Sequence, residues 1–249
     1  MNILNEKYRY LQEYIEEIPN IFDHEGTAIH VSRNVIKIFH ALDGTVINAK
    51  RYHAPKGINA LIYSIGIRKP KGYRAYMYSS VLRGKGIETP EAIAYMERRK
   101  TGILRESYLV TVQCPYGHRM YELGDAQEGT YEDIAVSLAQ YTARLHENGI
   151  LHRDYSPGNI LWEKDAAGQY RFSLVDINRM DFGPVDLKHG CSNLKRLWGP
   201  KRFFLLVVHE YAKARGFNQE EAERIALEAR AAFWTRFSQK HRVKFKLEL

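Results

Sequence analysis

Three residues at fixed intervals constrain this chain more than anything else in it. Asp154 follows His152 and Arg153, Asn159 comes five residues later, and Asp176 ends the apolar run Phe172-Ser173-Leu174-Val175. For the three to serve one purpose, a loop must be followed by a hairpin that brings the chain back to it. The parts are present: Ile160-Leu161-Trp162 and residues 170–175 read as two strands across a polar loop, residues 163–169. The residue types suit phosphoryl transfer. An Asp at the head of D-x-x-x-x-N can orient an attacking hydroxyl and accept its proton. The Asn and the second Asp supply the hard oxygen ligands that Mg²⁺ prefers when it is held against nucleotide phosphates.

Taken alone, D-x-x-x-x-N is more often a turn, here around Ser156-Pro157-Gly158. In register with His146, Gly149, His152, the hairpin and Asp176, it reads as a catalytic loop with Asp154 as base and Asn159 and Asp176 as metal ligands. A literal Asp181-Phe182-Gly183 competes for the metal. Asp176 caps an apolar strand, whereas Asp181 follows the polar, irregular Asn178-Arg179-Met180. Strand ends hold a ligand better than loops do, so the metal is assigned to Asp176 and Asp181 to a turn or an activation segment. His152 is expected to hold the catalytic loop through hydrogen bonds. Arg153 is expected to act as a structural cation or to contact the segment after Asp176.

Upstream, the first ~110 residues read mostly as strands and turns and the remainder as helices, an α+β layout. Strands are expected over residues 20–30, 34–40, 46–52 and 107–112, with Asp43-Gly44 turning a hairpin. The third strand carries Lys50, the expected cation for the nucleotide phosphates; Lys37 competes for that role, with Arg33 close by. Gln113-Cys114-Pro115-Tyr116-Gly117 reads as a hinge, which makes Gln113 and Cys114 candidate nucleotide contacts and sets two lobes, 1–112 and 113–249, within one domain. Past the hinge, residues 131–147 place Ile134, Leu138, Tyr141 and Leu145 on one helical face. Thr130 and Asp133 are placed to cap that helix and Asn148-Gly149 to stop it. Two more helices are expected, around residues 202–214 and from about residue 220, the second capped by Asn218 and Glu221.

Two customary parts of such a site are absent. No G-x-G-x-x-G precedes the second strand; the turn there is Val31-Ser32-Arg33-Asn34, where Arg33 and backbone N–H groups are expected to cover the phosphates. No acid occurs between Asp43 and Glu88, the stretch that should pair Lys50 with a carboxylate. Glu88, Glu91 or Glu97 could serve instead, or Lys50 binds phosphate without such a partner.

The acid-free stretch holds Lys50, Arg51, Lys56, Arg68, Lys69, Lys71, Arg74, Arg83 and Lys85, with tyrosines interleaved, in a chain of 37 Lys+Arg against 29 Asp+Glu. Such a balance suits an anionic partner, and the stretch reads as a binding patch for anionic headgroups or phosphorylated sugars, or as a solvated face. The run of residues 240–246 mixes cations with apolar residues, as a segment resting on a membrane or a frayed terminus would. Cys114 and Cys191 form no C-x-x-C, so neither a disulfide framework nor a zinc site is expected and a reducing cytoplasm fits. No signal peptide is visible, and the apolar run 203–208 is too short for a bilayer, which suggests a soluble or peripheral protein.

His152-Arg153-Asp154-Tyr155-Ser156-Pro157-Gly158-Asn159-Ile160-Leu161 and Leu174-Val175-Asp176-Ile177-Asn178-Arg179-Met180 resemble the lipopolysaccharide core kinases of the Kdo/WaaP family. Arg33-Asn34-Val35-Ile36-Lys37, Gly86-Ile87-Glu88-Thr89-Pro90-Glu91 and Ser107-Tyr108-Leu109-Val110 resemble its N-lobe segments. The likeness implies a protein-kinase-like bilobal fold, β-rich then helical. It also implies a kinase that uses ATP and Mg²⁺ to phosphorylate an inner-core sugar, Kdo or heptose, at the cytoplasmic face of the inner membrane, with no nucleic-acid partner. The alternatives are a kinase of a soluble small molecule or a protein, and, because the glycine loop and the Lys50 carboxylate are missing, a pseudokinase that serves as a binding module. By motif position, Asp154 is the base, Asn159 and Asp176 the metal ligands, and Lys50 the phosphate contact. Ser156 departs from protein Ser/Thr kinases, which usually place a Lys two residues after the catalytic Asp.

Overall fold

The computed structural model describes residues 2–53, 57 and 62–249. It divides into two compact units: the chain up to Pro115 together with Asp176–Asn178, and Tyr116–Val175 together with Arg179–Leu249.

The first unit is built on a six-stranded antiparallel sheet ordered β1-β5-β6-β4-β3-β2. Its strands are β1 (Asn2–Leu4), β2 (Thr27–Val31), β3 (Asn34–His40), β4 (Val46–Tyr52), β5 (Ala92–Lys100) and β6 (Ile103–Val112). Among the described residues it carries the α-helices α1 (Gln12–Ile21) and α2 (Lys71–Gly84). Side chains alternate across a strand, so β4 has two distinct faces. Ile47 and Ala49 join Phe22, Phe39, Tyr108, Val110 and the buried Ile15 and Ile18 of α1 in one apolar core. Lys50 and Tyr52 point the other way, opposite Leu109 and Ser107 of β6.

The chain departs from expectation at residues 20–30. Asn20 and Ile21 end α1, and the strand begins only at Thr27. The amphipathic face of Ile15 and Ile18 had more apolar surface to bury as a helix than a strand could use. Lys56 of the basic stretch lies outside the described residues. Two of the stretch's arginines find acids elsewhere in sequence: Arg51 Nη1 lies 2.8 Å from Asp23 and Arg83 Nη2 lies 3.6 Å from Glu91. That neutralises part of the patch.

The second unit packs α3 (Glu132–Glu147), α4 (Leu187–Asn193), α5 (Lys201–Ala214) and α6 (Gln219–Ser238) with short strands. These are β7 (His118–Arg119), β8 (Ile150–His152), β9 (Ile160–Lys164), β10 (Tyr170–Leu174) and β11 (Met180–Phe182). β9 and β10 form the expected hairpin, Ile160 opposite Leu174, and β8 pairs with β11. α3 ends where Asn148-Gly149 leaves it: Gly149 has φ 68°, a left-handed conformation that suits glycine. Its start differs from the expected capping pair. Thr130 donates its hydroxyl to the Gln127 carbonyl, and the Glu132 carboxylate accepts from the Gly129 and Tyr131 N–H groups. At α6 the expected cap forms, Asn218 accepting from Glu221 N–H at 2.9 Å.

Residues 240–246 are not a frayed end. Phe245 is buried, stacks on Trp198 with ring centroids 5.2 Å apart and meets Trp234 edge-on. Among the described residues, no helix is long and apolar enough to cross a membrane.

A buried polar relay crosses the second unit. Arg215 donates to the Tyr211 hydroxyl, which donates in turn to His146 Nδ1 at 2.9 Å. His146 Nε2 faces Asn193 Oδ1 at 3.3 Å, and Asn193 donates to the His152 carbonyl at 3.0 Å. Burial, offset in part by Asn193, pushes the His146 pKa down to about 4. A depressed folded-state pKa means the stabilisation is complete above the unfolded value and is lost as pH falls through the folded one. Urea unfolding from pH 7 to 4 is therefore expected to show stability falling below about pH 6.5, with about 3 kcal/mol traceable to this group. His146→Gln should flatten that slope. An equal slope in both proteins would assign the loss to other groups.

Candidate active site

In the second unit the residues after α3 form a tightly bonded loop. His152 is fully buried. Its Nδ1 accepts from Asp154 N–H at 3.1 Å and its Nε2 donates to the Val175 carbonyl at 3.1 Å, so this imidazole carries its proton on Nε2 and serves as a brace. Asn159 donates its side-chain N–H to the Asp154 carbonyl at 3.0 Å, which turns its oxygen away from the loop backbone. Val175 N–H donates to the Asn159 carbonyl at 3.0 Å, and Asp176 is the next residue in the chain. Arg153 lies 3.6 Å from Asp181, so the literal Asp-Phe-Gly acid is engaged as a structural partner.

Two cations meet the Asp154 carboxylate, Arg196 through a short ion pair and Arg179 at 4.0 Å. Sequence reasoning passed over both. The signal for Arg196 was Ser156: where the loop lacks its usual lysine, a cation beside the base must come from elsewhere. Arg196 stacks its guanidinium over Phe233 of α6 at 4.9 Å, which limits its freedom to leave the carboxylate.

In the first unit Lys50 Nζ lies 2.5 Å from Asp176 Oδ1, with the lysine side chain 14% exposed. The same oxygen accepts from Asn178 Nδ2 at 2.7 Å. Asp176 has φ 53°, a left-handed conformation that Asp tolerates better than most residues and that tends to be stored at functional sites. Burial works against the charge on Lys50, yet Tyr52 and Asp176 more than offset it and raise the lysine pKa. Lys50 thus stays protonated at physiological pH. Its ammonium sits over the Tyr52 ring at 5.1 Å.

The missing carboxylate is resolved by these contacts. α2 carries no acid, and two of the acids proposed as substitutes are engaged elsewhere. Glu91 bonds Lys7 and the Tyr8 hydroxyl, and Glu97 bonds Arg99 and the Tyr95 hydroxyl. Asp176 is the carboxylate that pairs with Lys50.

Lys37 stands opposite Ala49 on the face that packs against α1, donating to the Glu25 carbonyl and lying over Phe22, so it does not join Lys50. Gln113 accepts from Asn48 Nδ2 at 2.8 Å and donates to the Cys114 carbonyl, which leaves its side chain bracing the strand end. Cys114 is half-buried. Arg33 is exposed in the β2–β3 turn.

The donor chemistry fits a hard divalent cation. Asn159 presents a neutral oxygen fixed by its engaged N–H, and Asp176 a carboxylate; one or two protein oxygens with water and phosphate oxygens are what Mg²⁺ takes. Among the described residues no group of three His, Cys, Asp or Glu side chains gathers.

Residues 63–204, more than half of the chain, match the family model described as lipopolysaccharide kinase (Kdo/WaaP). No curated protein matches the chain in sequence. Several solved structures share its fold. A WaaP in complex with acyl carrier protein aligns over 96% of this chain and 98% of its own, at 17% identity and TM-score 0.57. The amicoumacin kinase hAmiN, in complex with AMP-PNP, Ca²⁺ and Ami, aligns over 94% of each chain at 12% identity and TM-score 0.56. The Rio2 kinase of Chaetomium thermophilum, as its ADP/Mg²⁺-phosphoaspartate complex, aligns over 91% of this chain and 75% of its own, at 14% identity and TM-score 0.54. The α+β architecture is therefore protein-kinase-like. With a phosphotransferase fold and a family match over most of its length, this chain belongs to the lipopolysaccharide kinase (Kdo/WaaP) family.

Proposed function

We propose that the protein is an ATP-dependent kinase that phosphorylates a hydroxyl of an inner-core lipopolysaccharide sugar, Kdo or heptose. The observation that carries this reading is the Lys50–Asp176 pair, 2.5 Å apart, because it joins two residues whose sequence motifs suggested separate roles on the same nucleotide. Asp154 orients the acceptor hydroxyl and takes its proton as the bond to phosphorus forms. Its backbone is held on both sides by His152 and Asn159, so little reorganisation is needed at the moment of reaction. Lys50 binds the nucleotide phosphates, and Asn159 and Asp176 hold the metal. Bound Mg²⁺ would neutralise charge on the phosphate oxygens. Arg196 keeps the base in place and supplies the positive charge that Ser156 does not. An acceptor anchored in lipid would bring the protein to the cytoplasmic face of the inner membrane as a peripheral enzyme.

The test is Mg²⁺-dependent ATP turnover with Kdo-lipid A or core oligosaccharide, read by transfer of labelled phosphate. Asp176→Asn is expected to lower kcat by about 10²–10³-fold, as loss of an electrostatic ligand does. Phosphate transfer to a soluble small molecule and none to the core sugars would sink the acceptor assignment. Parental turnover by Asp176→Asn would sink the metal assignment. In cells lacking the protein, lipid A–core should lose the mass of one phosphate.

A further inference from the structure

Between β10 and β11 lies a buried side chain that its packing does not explain. Asn178 is only 3% exposed, yet its amide is satisfied on one side alone. Its Nδ2 donates to Asp176 Oδ1 at 2.7 Å and reaches the Asp176 carbonyl at 3.3 Å. Its Oδ1 is buried and, among the described residues, accepts from no donor. The carboxylate sets the orientation of this amide: turned over, it would place oxygen against oxygen at the same 2.7 Å. A half-answered amide in the interior costs stability, and a leucine of nearly the same volume would not. Packing therefore gives no reason for an asparagine here.

What the amide does is hold Asp176. At φ 53° that residue occupies the left-handed region, where a residue other than glycine is strained. Asn178 bonds both its side chain and its carbonyl, so one group pins the backbone and the carboxylate together. The other partner of Oδ1 is Lys50, 2.5 Å away and borne by β4. Lys50 is also the proposed phosphate contact, and an ammonium drawn to phosphate gives up part of its hold on the carboxylate. Asn178 stands two residues along the same chain, so its bond persists through that change. Being neutral, it adds no positive charge to compete with a metal ion for the same carboxylate.

We propose that Asn178 is the positioning residue of the metal ligand. It presets the rotation of the Asp176 carboxylate, so that the ligand is already oriented when Mg²⁺ arrives with the nucleotide. Groups that hydrogen-bond a ligating carboxylate contribute about 10–100-fold in metal affinity, because a ligand held in place loses less freedom on binding. The inference rests on the reading of Asp176 as a metal ligand and gives the otherwise irregular segment after it a task.

The test separates the metal from the nucleotide. Calorimetry measures the affinity of the full chain for a non-hydrolysable ATP analogue in Mg²⁺ and again in EDTA, and the ratio of the two is the metal's share of binding. Asn178→Leu is expected to lower that ratio by at least ~10-fold and to leave the affinity in EDTA at the parental value. Asn178→Ala should act alike, and keeps the test informative should leucine not fit the site. An unchanged ratio in the folded variants would overturn the inference. Equal weakening in both media would also overturn it, by making Asn178 a structural residue only. Asp176→Asn in the same assay tells the two readings apart. A parental ratio there would overturn the metal assignment and this inference with it. A ratio lost in Asp176→Asn but kept in Asn178→Leu would overturn this inference alone.

Discussion

Asp154→Asn is expected to lower kcat by about 10²–10⁴-fold, the range over which a positioned general base contributes. The substitution keeps the side chain's size and an oxygen that can still accept from Arg196. It removes the basic lone pair and the negative charge. The loop itself should survive, because its backbone bonds to His152 and Asn159 do not involve the replaced carboxylate. Nucleotide affinity should be unchanged, since the substitution leaves the proposed phosphate contact, Lys50, and the proposed metal ligands, Asn159 and Asp176, in place. Single-turnover phosphate transfer to core oligosaccharide, with nucleotide binding measured separately, separates these effects. If transfer by Asp154→Asn kept the parental rate, the base would have to be another residue. Tighter nucleotide binding with unchanged transfer would make Asp154 an electrostatic residue only.

The largest stability effect is expected at Arg230. This residue of α6 is fully buried. It donates to the Leu197 carbonyl at 2.6 Å, the Gly199 carbonyl at 3.2 Å and the Glu248 carbonyl at 3.4 Å, and lies over Phe204 at 4.5 Å. Burial lowers its pKa to about 10, partly offset by Glu248, so it remains charged at neutral pH. Arg230→Met fills much of the same volume but leaves three carbonyls without their donor. A loss of about 3–5 kcal/mol is expected, as for breaking other buried charged networks. The damage should extend beyond stability. Leu197 directly follows the short helix Leu194–Arg196, and Arg196 is the partner of Asp154. Urea unfolding reads the first effect. The second would appear as a lower kcat under conditions where the variant is still folded. A stability change below about 1 kcal/mol would mean that water or relaxation replaces those bonds.

Much of the local structure around Asp154 was legible because its parts are close in sequence. His152, Asp154 and Asn159 sit within one short loop, and the β9–β10 hairpin returns the chain to that loop by nearest-neighbour pairing. Periodicity and turn chemistry are enough to read such a segment. The helix over residues 132–147 and the strand carrying Lys50 were readable for the same reason, as each is decided by its own hydrophobic pattern. Residues 20–30 were misread because Thr27 onward is a strand preceded by the last turn of a helix, and that boundary depends on what Ile15 and Ile18 bury. The α3 cap was missed because the Thr130 hydroxyl is committed to the Gln127 carbonyl, and Glu132 instead answers the Gly129 and Tyr131 N–H groups.

The Asp154, Asn159 and Asp176 constellation was set by sequence alone, in its residue types, spacing and order, and Asp176 was preferred to Asp181 on strand-end grounds. Tertiary structure decided what surrounds each of them. It chose Asp176 as the carboxylate for Lys50, put Lys37 on the opposite face of the sheet, brought Arg196 from after α4 to Asp154, and folded the basic C-terminal run onto Trp198 and Trp234. The reason is physical. Local chain geometry fixes which side chains share a loop or a strand face, whereas the partner of a buried charge is whichever opposite group the packed chain brings within a few ångströms. That pairing depends on contacts far apart in sequence, which periodicity and spacing do not encode.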